Sequence, residues 1–462
     1  TPYLKAKGGQ KLVVRVFDGT DKGYQPRGKQ VLTPNGIWYT PVSGIWQTVW
    51  AEIVPDNYIE RIFFTPDYDN SRMELRVLTK EPAAVDCMIA GKGVDSFCIS
   101  GMSNETIAID LPDFHPWSPE DPFCYQISLR TDTDRVSSYF AMRKCDVQTG
   151  PDGKRRFFLN NKPYFQAGVL DQGYWPESLY TAPTDEALLS DILRMKKLGF
   201  NMLRKHAKIE PERFYYHCDQ LGILVWQDMV NGGSPYKSWF VTYLATLMNW
   251  RHLPFSDGEK HFSLLSRSQP EGRAEFLREM EETVTFLYNH PSIVTWVPFN
   301  EGWGQFHAAD AAARLKQLDP TRLVDHASGW FDQKAGDIVS LHYYFFTLNF
   351  KAEAARVLAL TEYGGYSFSM PEHSASETVY GYRKFTSAAE LTAAYEKLME
   401  RTVLPAVQKG VGASVYTQLS DIEEETNGIY TYDRAVCKLD PDTVRKWNQK
   451  LKEAGFSENP TE

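Results

Sequence analysis

The sequence predicts a multidomain chain in which an all-β front precedes an α/β barrel, and three observations carry that expectation. Downstream of Asp152-Gly153, short apolar runs alternate with amphipathic helical stretches. Eight such runs occur, at 164–170, 201–205, 223–227, 293–299, 323–326, 338–343, 357–361 and 413–419, the strand count of a (β/α)8 TIM barrel. Upstream, residues 56–145 break into short alternating segments separated by turns, the rhythm of a small β-sandwich.

The elements follow in chain order. Residues 11–17 and 44–54 read as strands on their β-branched and aromatic content, with a Pro/Gly-rich loop between them. Residues 73–78 and 124–129 are examples of the alternating strands of the second unit. In the barrel, near-continuous apolar runs fit parallel strands buried on both faces. Helices are expected at 184–198, 271–289, 308–318 and 388–408. The domain expectation is 1–55, 56–145 and 146–462. After the third barrel strand about 40 residues pass before the next helix. They include Tyr236, Trp239, Phe240, Trp250 and Phe255, and are expected either to wall a pocket or to form an extra helix.

Composition excludes some classes of function. A formal net charge of −9 with no Lys/Arg-rich block argues against a nucleic-acid partner. No apolar run approaches the roughly 20 residues of a membrane span. The six cysteines show no metal-like spacing, so free thiols are the default, with pairing of Cys87 with Cys98 or Cys124 left open. Twelve Trp and 25 Tyr suit either a large core or the stacking of sugar faces. Oligomeric state, including a homo-oligomer, and compartment, whether periplasmic, secreted or cytoplasmic, stay open.

Two motifs carry chemistry. Val297-Pro298-Phe299-Asn300-Glu301-Gly302-Trp303 follows the fourth barrel strand, and Leu360-Thr361-Glu362-Tyr363-Gly364-Gly365 follows the seventh. Active sites of such barrels sit at the C-terminal strand ends. Two carboxylates held there are what glycoside hydrolysis needs, one to protonate the leaving oxygen and one to attack or to activate water. Lys205, His206 and Lys208 cluster after the second strand, where they either meet an anionic sugar substituent or pair with Glu210 and Asp228.

These residues resemble glycoside hydrolase family 2. Ser43-Gly44-Ile45-Trp46-Gln47-Thr48-Val49 is similar to the last strand of that family's jelly-roll sugar-binding domain. Trp117-Ser118-Pro119-Glu120-Asp121-Pro122 and Tyr139-Phe140-Ala141-Met142-Arg143-Lys144 resemble the end of its immunoglobulin-like domain. Pro298-Phe299-Asn300-Glu301 resembles its acid/base motif and Thr361-Glu362-Tyr363-Gly364 its nucleophile motif.

The resemblance implies a retaining exo-β-glycosidase, galactosidase-like first, with carboxyls about 5–5.5 Å apart. Glu301 is then the acid/base, with a raised pKa, and Glu362 the ionised nucleophile. It implies that Asn300 binds the sugar 2-hydroxyl, Arg204 holds Glu362 ionised and Tyr343 donates to Glu362, with His342 and Tyr344 one register step away. It places His342, Asp171, Trp330 and Gln418 among the substrate-binding positions, and Asp18 on a loop reaching the site from the sugar-binding domain. The partner is a carbohydrate, and the chemistry requires no cofactor, although Mg²⁺ or Na⁺ occurs in some relatives. Histidines that galactosidases carry are replaced by Ala207 and Gly365, and the glucuronidase Asn-x-Lys signature is missing around Asn427-Gly428-Ile429, so the sugar stays open among galactose, glucuronate, mannose and modified glycans. A reading from another class is a carbohydrate-binding protein on a dead hydrolase scaffold, which has no need of both glutamates. The front end is shorter than the family's jelly roll, so a fragment is expected.

Overall fold

In a computed structural model, residues 3–251, 253–344 and 348–456 are described. Eight parallel strands form one sheet: β1 (Gln166–Asp171), β2 (Met202–Lys205), β3 (Leu224–Asp228), β4 (Ile293–Val297), β5 (Leu323–Val324), β6 (Ile338–Tyr343), β7 (Val357–Gly364) and β8 (Val411–Thr417). The lateral order runs β5-β4-β3-β2-β1-β8-β7-β6. It makes a nearly closed barrel. At the β5–β6 seam the Asp337 amide donates to the Val324 carbonyl at 2.9 Å, and the Asp337 carboxylate accepts from the Val324 amide at 2.8 Å.

Period-two alternation divides each strand between two surroundings. Met202, Leu224, Trp226, Val357, Ala359, Ala413 and Val415 fill the barrel interior. Val169, Leu203, Val225, Trp296, Leu358 and Leu360 face outward against the helical layer. That layer includes helices Asp185–Lys197, Glu212–Leu221, Pro270–Leu287, Ala308–Leu318, Ala388–Leu398 and Pro441–Phe456. The first begins where the Thr184 hydroxyl accepts from the Ala187 amide at 3.2 Å, capping an otherwise orphaned donor. The second ends at Gly222, whose φ of 71° is the left-handed geometry of a helix stop. An added Cβ there would meet the Pro119 backbone at 2.6 Å.

Ahead of the barrel, a three-stranded sheet (Ile59–Asp67, Arg72–Thr79, Thr106–Asp110) and a four-stranded sheet (Ala84–Gly91, Val94–Met102, Tyr125–Arg130, Arg135–Phe140) share one apolar core. The fully buried Arg143 fixes this unit to the base of the barrel, donating to the carbonyls of Pro291, Thr321 and Ile293. All six cysteines are free, and Cys87 stands opposite Ile99 rather than Cys98.

One sequence expectation fails at the front. Residues 11–17 and 44–54 form no strand, and Leu12, Val13, Phe17, Ile45, Trp50 and Ile53 are exposed. A strand persists only within a ladder, and neither segment has a pairing partner among the described residues. The Pro/Gly-rich stretch between them is instead ordered against the barrel mouth. The amides of Arg27 and Gly28 donate to the Asn231 carbonyl, and Tyr39 and Lys29 pair backbone to backbone.

Candidate active site

The upper end of the barrel changes character because the inward positions change from apolar to polar. On β2 the inward sequence is Met202, then Arg204; on β3 it is Leu224, Trp226, then Asp228. Arg204 is wholly buried and spends its guanidinium on four groups. It donates to Asp228 at 2.8 and 3.1 Å, to Glu362 Oε1 at 3.1 Å, to the Thr361 carbonyl at 3.1 Å and to Asn300 Oδ1 at 2.9 Å. Burial alone would pull its pKa down, but the carboxylates of Asp228 and Glu362 outweigh it and raise it above the ordinary value.

Glu362 faces inward because β7 carries a bulge. Leu341 pairs with Leu360 but His342 pairs with Glu362, so Thr361 is an extra residue and both Thr361 and Glu362 turn into the barrel. Burial pushes the Glu362 carboxyl up; the charges of His342 and Arg204, together with the Tyr344 hydroxyl, outweigh it and bring it down to about 2. Tyr344 donates to Glu362 Oε2 at 2.6 Å, and its oxygen lies 2.8 Å from Thr417 Oγ1.

Glu301 projects from the turn after β4. Its φ of 50° lies in the left-handed region, uncommon for a residue with a Cβ. The turn is held by the Glu301 amide donating to the Ser328 carbonyl at 2.9 Å. His342 Nδ1 lies 2.8 Å from Glu301 Oε1 and 3.6 Å from Glu362 Oε2, while its Nε2 lies 3.1 Å from Ser328 Oγ. One ligand atom each from Glu301, His342 and Glu362 all fall within 4.8 Å of one another. In geometric terms the same trio is the place where a cation could be held.

A cleft of about 680 Å³ opens above this pair, lined by Glu301, His342, Trp38, Trp303, Trp330 and Tyr382 among others. The segment after β3 supplies part of its wall through the turn Trp239–Leu244 and helix Ala245–Trp250, so the extra helix and the pocket wall are one element.

The structure therefore groups Glu301, Glu362, Asn300, Arg204, His342 and Trp330. It separates four other candidates. Asp18 is exposed and caps its own turn, accepting from the Thr20 amide at 2.6 Å and from Ser43. Asp171 points out of the barrel to Lys205 at 2.7 Å, because Arg204 has taken the inward side of β2 and the neighbouring strand shares that parity. Tyr343 packs on the outer core and edges the cleft, while Tyr344 makes the contact to Glu362; Ser340, His342 and Tyr344 share the inward face at spacing two. Gln418 is spent in a buried network, accepting from Gln172 at 2.7 Å and donating to Asn427 at 2.8 Å.

Lys205 and Lys208 are spent on Glu210 and, for Lys205, Asp171, so of that cluster only His206 turns to the site. Burial, then the charge of Lys29, holds His206 below its usual value against Asp228, whose Oδ2 is 2.6 Å from its Nδ1. The sequence reading named Asp228 only as an ion-pair partner of that cluster, and it missed Trp38, Lys29 and Tyr382. The alternating polar positions on β3 and β6 are a signal for the first kind; nothing local marks residues of a Pro/Gly-rich loop.

Residues 153–363 match the family model described as Glycosyl hydrolases family 2, TIM barrel domain. A β-galactosidase of Photobacterium profundum is 26% identical over 367 residues, covering 73% of this chain and 31% of its own length. One from Oenococcus oeni is 27% identical over 369 residues, covering 73% and 32%. The chain thus spans about a third of the length of these curated relatives. Among solved structures, a putative β-galactosidase from Bacteroides fragilis aligns with a TM-score of 0.64 at 18% identity over 93% of this chain and 67% of its own. A family 2 β-galacturonidase from Eisenbergiella tayi, bound to galacturonate, aligns at 0.59 and 18% over 86% and 73%. These structural likenesses speak to the fold, and the sequence match names the barrel: residues 153–363 are similar to the TIM barrel domain of glycoside hydrolase family 2.

Proposed function

We propose that the protein is a retaining exo-β-glycosidase that removes a terminal, non-reducing β-linked sugar by double displacement. The observation that carries this is the carboxylate pair: oxygens of Glu301 and Glu362 within 4.8 Å, with Glu362 held ionised. A water-activating, inverting pair needs about 6.5–9.5 Å between carboxyls, so the spacing favours direct attack.

In this reading Glu362 attacks the anomeric carbon while Glu301 gives its proton to the glycosidic oxygen. The resulting glycosyl–Glu362 ester is then hydrolysed by water, whose proton returns to Glu301. Asn300 has its Oδ1 committed to Arg204, which leaves its Nδ2 to donate to the sugar 2-hydroxyl. The aromatic cleft stacks the sugar and its aglycone and accounts for the carbohydrate partner. The curated relatives make a galacto-configured sugar the first candidate. With the same assignment, residues 1–55 read as part of a jelly roll, 56–145 as an immunoglobulin-like sandwich and 146–462 as the catalytic barrel. Every bond made or broken is supplied by the two glutamates and water, so the scheme requires no cofactor.

The test is the anomer first released from a panel of aryl β-glycosides, followed by proton NMR. A β-product appearing before mutarotation is expected; an α-product overturns the double displacement. A second expectation concerns Tyr344→Phe. Removing the hydroxyl that donates to Glu362 raises the Glu362 pKa from about 2, so the acid limb of kcat/KM moves to higher pH. Turnover should fall by about 10–100-fold, the worth of a hydrogen bond to a charged group. An unmoved acid limb would show that Tyr344 does not act on Glu362.

A further inference from the structure

A small recess of about 10 Å³ is lined by Lys29, His206, Asp228, Asn300 and Trp303 among others, and Trp303 also lines the large cleft. Space of that order accommodates about one water-sized atom. The groups around it are mostly donors. Asn300 presents its NH₂, because its carbonyl oxygen accepts from Arg204. Asp228 already accepts with both oxygens, from Arg204 twice and beside His206 Nδ1. That leaves the Lys29 ammonium without a hydrogen-bond acceptor among the described residues.

Lys29 is the unusual member. It is only 7% exposed, yet its Nζ makes no hydrogen bond or ion pair among the described residues. Its contacts are with π faces, at 5.8 Å from the Tyr39 ring centre and 5.7 Å from that of Trp303. A buried ammonium without a counter-anion is costly, and buried charges are ordinarily paired. The chain nevertheless builds this position firmly. Gly28 has a φ of 61° and packs so closely on the loop after β2 that an added Cβ would lie 2.5 Å from the Ala207 carbonyl oxygen. The Gly28 amide donates to Asn231 at 2.8 Å, and the Lys29 carbonyl accepts from Tyr39 at 2.9 Å. The backbone on both sides of Lys29 is thus pinned, and the side chain is delivered into the barrel mouth from far upstream in sequence.

We propose that Lys29 determines the specificity of this site and that the sugar it reads carries an anionic oxygen, from a carboxylate or a sulfate ester. The inference rests on the glycosidase reading. The sugar's anionic oxygen enters the recess and takes the Lys29 ammonium as its counter-ion, a charge-assisted contact that a neutral hydroxyl satisfies only in part. Trp303 and Tyr39 hold the ammonium when the recess is without an anion.

Matched 4-nitrophenyl β-D-glycosides decide it: galactoside against galacturonide, glucoside against glucuronide, and galactoside against its 6-sulfate. The wild type is expected to favour the charged member of at least one pair by about tenfold or more in kcat/KM, and the pair that responds tells carboxylate from sulfate. Lys29→Met should lose at least about tenfold more on the charged member than on the neutral one, with Lys29→Arg restoring part of the preference. A wild type that favours the neutral member of every pair, or a Lys29→Met variant that loses equally on both, overturns the proposal. If no glycoside is hydrolysed, the glycosidase reading fails separately, and titration calorimetry with galacturonate, glucuronate, galactose 6-sulfate and galactose still decides Lys29. Tighter binding of a charged sugar, abolished in Lys29→Met, supports it; no preference for charge overturns it.

Discussion

Glu362→Ala is expected to lower kcat by about 10⁴-fold or more, the scale on which removal of a covalent nucleophile acts. Arg204, Tyr344 and the bulge at Thr361 all act through this carboxylate, so no other group in the site takes its place. Added azide, small enough to occupy the vacated space, should restore part of the rate and give an α-glycosyl azide, because the substitution then occurs once. A variant that keeps wild-type turnover would remove Glu362 from the chemistry. The same residue marks stability. Its folded pKa of about 2 lies below the ordinary 4.5. The stabilisation from its ionised form, on the order of 3 kcal/mol, is therefore fully present above about pH 5 and lost as pH falls toward 2. Thermal unfolding between pH 5 and 2 should show a steeper loss in the wild type than in Glu362→Ala.

For Glu301→Ala the expected loss depends on the leaving group. With alkyl or sugar aglycones, which need a proton to depart, the rate should fall by about 10²–10⁴-fold. With a 2,4-dinitrophenyl aglycone, bond cleavage should change little. Hydrolysis of the glycosyl–Glu362 ester then becomes slow because no base activates water, and a burst of dinitrophenol should precede a slow steady state. The alkaline limb of the pH profile, the loss of the acid's proton, should disappear with the carboxyl. An equal loss on all leaving groups would show that Glu301 has another role.

His342 ties these two expectations together, since its Nδ1 faces one oxygen of each glutamate. The sequence placed it among the substrate-binding candidates beside Tyr343, without its link to the two glutamates. What hid the better assignment was parity. Ser340, His342 and Tyr344 share the inward face, so once one of them is placed the others follow, but a run of apolar and aromatic residues does not say which face is inward. Asp171 failed for the same reason: it sits at the predicted strand end but on the outer face, paired to Lys205. Glu362 escaped the problem through its bulge, which turns two successive residues inward. Asp18 failed for a different reason, because a short Asp before a glycine satisfies its oxygens on the nearest amide.

The strand positions and the addresses of both glutamates were legible in the sequence alone. All eight barrel strands overlap the apolar runs, because a parallel strand buried on both faces has to be apolar along its length. Asn300, Arg204, His342 and Trp330 were named from the sequence as well, and the rest of the site was decided by the tertiary structure. Lys29 and Trp38 come from a loop without periodicity, and Asp228 and Tyr344 from strands whose inward face is set only when the barrel closes. Local sequence carries the preference of each segment for its own conformation, whereas which side chains meet depends on contacts between residues far apart in the chain, and those exist only once the sheet has curled around them.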